Sequence, residues 1–362
     1  MAFTDYYVDP SINANSGTGT IGDPFGDLQY ALDSVTRNST DGDRFNVKSG
    51  TSENISSGIS VAAYGNGTAS APLIIQGYTS LAGDGGRGVI DGGSSATTIF
   101  GNNSCTVHFV DMDLQNTAFD IIEACGQFSH FIGCKISNSG YEGITLNYYG
   151  RVFNCEISGF GRYGIYNALY SVIHGNYIEC SSGSSGIYLN GSRSEVTKNI
   201  VTGNPSNSSI LIAGSINNIT GNSILANSST ARGIYDGGSL KSYCSIFNNI
   251  VEGFSGTGGV GIDLSSNTEA SFIDFNASFD NATDYSMGKA IYTSQNEVLT
   301  TSGFSKSGSN TYANRFTYFE PVNTGNIHGG AFPDGSRSDK GAIQHQDQSG
   351  GGGATVHPLY AN

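Results

Sequence analysis

The sequence predicts an all-β protein, a right-handed parallel β-helix built from coils of about 22 residues. Two periodic columns and one compositional outlier carry that reading. The first column is a small polar residue or Cys that precedes an aliphatic pair: Cys134, Cys155, Asn176, Asn199, Asn222 and Asn249, stepping by 21, 21, 23, 23 and 27. The second keeps pace with it: Ile144, Ile165, Ile187, Ile210, Ile234 and Ile262, each after Gly or Ser. The outlier is glycine, at 52 of 362 residues, against only 13% charged residues and no Trp. Two columns that keep nearly the same period are the signature of stacked units. A coil of this length is too short for two helices. Its β-branched and aromatic runs, broken by Gly, Ser and Asn, read as short strands and turns.

Composition excludes several classes. Glycine has no three-residue period, so collagen is out. The chain is 37% apolar and 11% aromatic, too much for a disordered acidic chain. A net charge of −14 disfavours nucleic acid as a partner, because phosphate contacts need clustered Lys and Arg. No apolar run reaches 18 residues, so no membrane partner is expected. Met1–Asp5 has no basic or apolar stretch, so no secretory signal is expected.

Taken in order, residues 1–45 form an N-terminal segment with a capping helix. Leu28, Ala31, Leu32 and Val35 share one helical face, with Asp23 as cap and Pro24 at the first position. Such a helix would cover the open end of the first coil. Residues 46–299 are the β-helix, with early copies at Val89–Asp91 and Val107–Leu114 and a last coil at Ala290-Ile291. The inward Ile column fills the core, and Asn at a repeated turn position forms an amide ladder. Glycine at corners supplies positive φ. Residues 300–348, rich in Ser, Asn, Gly and aromatics, are an irregular C-terminal cap. Residues 349–362 are a Gly linker and a tail peptide, in which Val356, Pro358, Leu359 and Tyr360 form an apolar docking motif for a neighbouring subunit or another protein.

The phrases Tyr7-Val8-Asp9-Pro10, Gly22-Asp23-Pro24-Phe25, Leu28-Gln29-Tyr30-Ala31-Leu32, Ile74-Ile75-Gln76-Gly77, Val89-Ile90-Asp91-Gly92 and Gly341-Ala342-Ile343-Gln344 resemble segments of right-handed parallel β-helix proteins of the pectin-lyase-like superfold. The resemblance spans roughly residues 6–345 and specifies fold rather than function, because that superfold hosts lyases, hydrolases, isomerases and phage tailspikes. It implies where chemistry would sit. The adjacent Asp pair and Gly-His-Gly motif of polygalacturonase-like hydrolases are missing. Asp91, Asp111 and Asp113 are the acidic cluster that a calcium ion, as cofactor, would use. Lys135 and Arg151 are the nearest approach to an alginate-lyase-like cation pair.

The six cysteines lack zinc spacing and read as buried thiols. The six histidines show no metal motif. The residue after each inward Ile points outward, giving Thr145, Tyr166, Tyr188, Leu211, Tyr235 and Asp263. With Tyr148, Tyr149, Tyr163, Tyr170, Glu142 and Arg162 close by, this column predicts a glycan groove centred on Tyr166, Tyr188, Tyr235, Arg162 and Tyr163. Glu142 and Asp236 are the candidate carboxylate pair for glycoside hydrolysis. The leading expectation is a non-catalytic virion structural or adhesion protein: a phage spike, fibre or capsid-decorating β-helix, made in the host cytoplasm. By resemblance to tailspikes it would be a homotrimer that contacts other virion proteins and cell-surface glycans. The alternative is an extracellular polysaccharide lyase or glycoside hydrolase.

Overall fold

A computed structural model describes residues 3–287 apart from 13–14, 102–103, 124, 182, 238–242, 267–270 and 275, together with four short strands beyond. It shows three parallel sheets that wind into one solenoid. The first face has 12 strands, from Thr4–Val8 to Ile291–Tyr292. The second has 11, from Ser52–Asn54 to Glu297–Val298, and the third has 9, from Phe100–Gly101 to Thr283–Met287. Each strand pairs with its counterparts one coil before and one coil after, so backbone groups are satisfied between coils. Ile291–Tyr292 adds the last rung of the first face, on Phe272–Asp274.

The core is three inward columns. On the third face Phe100, Ile122, Ile144, Ile165, Ile187, Ile210, Ile234 and Ile262 stack in register, each fully buried. Phe109 and Phe131 lie face to face on the first face, 5.6 Å between ring centroids. Burying each such side chain contributes about 1.5–3 kcal/mol.

The glycine before each inward Ile has a different cause from the one expected. None of Gly143, Gly164, Gly186, Gly233 and Gly261 has a positive φ. A Cβ at Gly186 would sit 2.7 Å from Val201 Cγ1, and one at Gly233 would sit 2.2 Å from Val251 Cγ1. At these two coils a Cβ would collide with a Val side chain of the second face; on other coils the same position holds Ser209 or Ile121. Positive φ falls one residue before the Cys/Asn column instead, at Asp111, Gly133, Asn154, Gly175, Lys198, Gly221 and Asn248.

The Asn column forms the expected ladder. The Nδ2 atoms of Asn176, Asn199, Asn222 and Asn249 each donate to Oδ1 of the next Asn, at 2.9–3.0 Å. The ladder runs one rung further than the sequence reading took it, to Asn276. Each amide also donates to a buried carbonyl, as Asn222 does to Val196 at 2.8 Å. Earlier in the same column Cys134 and Cys155 replace Asn. All six cysteines are buried and free.

The capping helix spans Leu28–Ser34 and buries Leu28, Ala31 and Leu32. Its cap is Asp27, not Asp23: Asp27 Oδ1 accepts from Tyr30 N at 2.6 Å. Phe25 is the reason. It is held extended against the first strand, with Phe25 N donating to Tyr7 O and Phe25 O accepting from Asp9 N, so the helix cannot begin before it. Glu53 reaches across from the second face to accept from Leu28 N. Among the described residues no helix is long and apolar enough to cross a membrane. Of the C-terminal cap, only an antiparallel pair, Phe304–Lys306 with Phe319–Pro321, is described. The tail motif Val356, Pro358, Leu359 and Tyr360 lies outside the described residues.

Candidate functional site

The outward column of the third face and the corner that leads into it carry most of the predicted site. Phe119, Tyr141 and Arg162 occupy that corner on successive coils, linked by backbone bonds from Tyr141 N to Phe119 O and from Arg162 N to Tyr141 O. Arg162 is the hub. Its Nη1 donates to Tyr141 OH at 2.6 Å and lies 3.4 Å from Glu142 Oε1. The guanidinium also sits over the Tyr141 and Tyr163 rings, 5.0 and 4.6 Å from their centroids. Tyr163 is therefore buried beneath Arg162 and supports the groove from below, rather than offering a ring to a ligand.

Tyr166 and Tyr188 are half-buried neighbours in edge-to-face contact at 5.3 Å. The exposed Asn190 joins them, donating from Nδ2 to Tyr166 OH at 2.8 Å and accepting from Tyr188 OH at 3.2 Å. The strip then breaks. Leu211 fills the next rung, and Tyr235 lies beyond it under the Arg232 guanidinium, at 4.3 Å. Arg232 in turn pairs with Asp263 at 2.8 Å. Tyr148, Tyr149 and Tyr170 do not line this strip; Tyr149 and Tyr170 stand at the following corner, between the third and first faces.

The predicted carboxylate pair is separated. Asp236 follows Tyr235 on its strand and turns inward, in register with Ile212 and buried. Glu142 stands two residues before Ile144, four rungs earlier, so along the solenoid axis alone the two are about 19 Å apart. Neither glycosidase spacing, about 5–5.5 or about 6.5–9.5 Å, can be met. The neighbour of Glu142 is Asp120, which sequence reasoning missed. Asp120 Oδ1 accepts from Glu142 N at 2.9 Å, and the two carboxyls hydrogen-bond. Burial first, then this second carboxyl, pushes Glu142 up to about 8, against the pull of Arg162. The signal was available: both residues stand two before an inward residue, Ile122 and Ile144, which pair.

The acidic trio does not converge. Asp91 accepts from Gly93 N, Asn116 and Gln115, and against the effect of burial these bonds hold it below the usual carboxylate range. Asp111 occupies a positive-φ turn position, and Asp113 pairs with Lys135 along the second face. No group of three or more His, Cys, Asp or Glu suited to a metal forms among the described residues. Lys135 and Arg151 lie on different faces, the second and the first, and make no pair; Lys135 is flanked by Asp113 and Glu156.

A family model described as the right-handed β-helix region matches residues 119–283. No curated protein matches the chain. Among solved structures, a pectate lyase, Pel9A, is similar at 13% identity over 96% of this chain and 97% of its own, with a TM-score of 0.52. The Dettilon tailspike protein is similar at 16% identity over 81% of this chain and 67% of its own, TM-score 0.49. A lacto-N-biosidase from Eubacterium ramulus is similar at 10% identity over 82% of this chain and 68% of its own, TM-score 0.48. Sheet topology, coil period and the family model agree: the chain is a right-handed parallel β-helix with the pectin-lyase-like fold.

Proposed function

We propose that the chain is a glycan-binding adhesion protein, of the kind a virion spike carries, and that the third face is its contact surface. One observation carries the reading: consecutive rungs present Tyr141, then Arg162 with Tyr166, then Tyr188 with Asn190, as an array of half-exposed rings and hydrogen-bonding groups along the solenoid axis. Rings stack on the apolar faces of sugars, and the hydroxyl, amide and guanidinium groups bond their hydroxyls. A linear array on a rigid sheet suits a linear polysaccharide and keeps its geometry without a ligand. The test is affinity for bacterial surface polysaccharides by calorimetry. Arg162→Ala and Tyr188→Ala should each weaken binding by roughly tenfold, a loss of about 1.4 kcal/mol. Unchanged affinity in both would overturn the reading.

A specific observation favours a second reading, catalysis. Glu142 holds its proton at neutral pH beside Arg162 and is therefore a candidate general acid. Release of new chain ends from alginate, pectin or surface polysaccharide, lost in Glu142→Gln, would establish this reading over the first.

A further inference from the structure

The corner between the third and first faces uses one residue per coil in the left-handed region: Phe128, Tyr149, Tyr170, Arg193, Ile216 and Tyr243. Each of these backbones costs about 1–2 kcal/mol for a residue with a Cβ, and a bulky or β-branched residue there is a marked outlier. Yet Phe128 and Tyr149 are each 40% exposed, Ile216 is 51% exposed and Tyr243 is 49% exposed. Their side chains make a mainly aromatic ridge parallel to the solenoid axis, with Arg193 in the row donating to Tyr170 OH at 2.9 Å. The Phe128, Tyr149 and Tyr170 rings stack at 4.9 and 5.0 Å, so their faces are covered and their edges point outward. A sugar needs an open ring face. A flat protein surface fits the ridge better.

Beside the ridge, the outward column of the first face carries Arg151, Val172 and Glu195 on three successive rungs. Arg151 and Glu195 are exposed, and neither takes part in an ion pair among the described residues. This order is self-complementary about its middle rung. A two-fold axis at Val172 and Tyr170 places Arg151 against Glu195 of a second copy, and Glu195 against its Arg151. The same axis places Tyr149 near Arg193, whose Nη1 already donates to Tyr170 OH of its own chain at 2.9 Å, and Phe128 against Ile216. A parallel arrangement would instead set Arg151 beside Arg151 and Glu195 beside Glu195.

We infer that the chain forms an antiparallel two-fold dimer through this ridge and the adjoining first face, centred on the Val172–Tyr170 rung. The ridge runs about 24 Å along the solenoid axis, five steps of about 4.8 Å. The dimer is an isologous contact, the commonest closed form. It does not depend on the glycan reading.

The test is sedimentation of the full chain at micromolar concentration. Wild type should be a dimer. Arg151→Glu alone or Glu195→Arg alone should raise the dissociation constant by at least roughly tenfold, because each sets like charges across the axis. The combined Arg151→Glu and Glu195→Arg variant should recover the wild-type value within a few-fold. Both sites are exposed, and unchanged circular dichroism would show that the fold survives. A monomeric or trimeric wild type, or a combined variant as weak as the single ones, would overturn the proposal.

Discussion

Two corners of the solenoid make the same backbone turn with opposite side chains. From the first to the second face the left-handed residue is Asp111, Gly133, Asn154, Gly175, Lys198, Gly221 and then Asn248. From the third to the first face it is Phe128, Tyr149, Tyr170, Arg193, Ile216 and then Tyr243. At the first corner most residues suit the backbone, since Gly, Asn and Asp enter this region at low cost. The next position then buries an amide ladder. At the second corner large side chains are kept at a steric cost and left in solvent. Where backbone preference and residue choice agree, the corner serves the fold. Where they conflict and the side chain is exposed, the side chain itself is what the position is for.

The largest effect should come from the ladder of the first corner. In Asn222→Ala, Asn199 N, Asn199 Nδ2 and Val196 O lose their partner inside the core. A loss of about 3–4 kcal/mol is expected in urea unfolding, since each buried polar group left unmade costs roughly 1–3 kcal/mol. Gly175, at φ 68°, tests the turn. Gly175→Ala should destabilise by about 1–2 kcal/mol. At the second corner the sign should invert. Ile216→Gly should stabilise the subunit by about 1 kcal/mol, read from thermal unfolding under conditions where the subunit is monomeric. A loss of stability there would remove the contrast between the corners.

The corner that leads into the third face supplies the smallest expected effect, a pH dependence. Glu142 is raised from about 4.5 in the unfolded chain to about 8 when folded. Its contribution is fully present below pH 4.5 and is lost as pH rises through 8, because the unfolded chain gives up the proton first. Arg162 and partial solvent access limit the size. The unfolding temperature should therefore decline between pH 4.5 and 8. Glu142→Gln should flatten that decline.

Much of this was legible in the sequence wherever a column repeats one residue type. The Asn and Ile columns were visible because an amide ladder and a packed core both demand the same chemistry on every coil. The ridge was not, although Phe128 through Tyr243 keep the same spacing six residues ahead of Cys134 through Asn249. Its residues share exposure and backbone conformation, not a residue type. Asp120 was missed as partner to Glu142 for a related reason. Two acidic residues 22 apart look unrelated until the register sets them side by side.

By itself the sequence determined the coil period, the inward columns and hence the solenoid, since stacking repeats the same one-dimensional pattern on every rung. Only the tertiary structure decided that a Cβ at Gly186 or Gly233 would collide with a Val side chain of the second face, that Asp236 turns into the core four rungs from Glu142, and that the Phe128 ridge stands in solvent. Those facts depend on which way a side chain points and how closely two faces approach. Both are set by lateral register between coils, which local sequence does not encode.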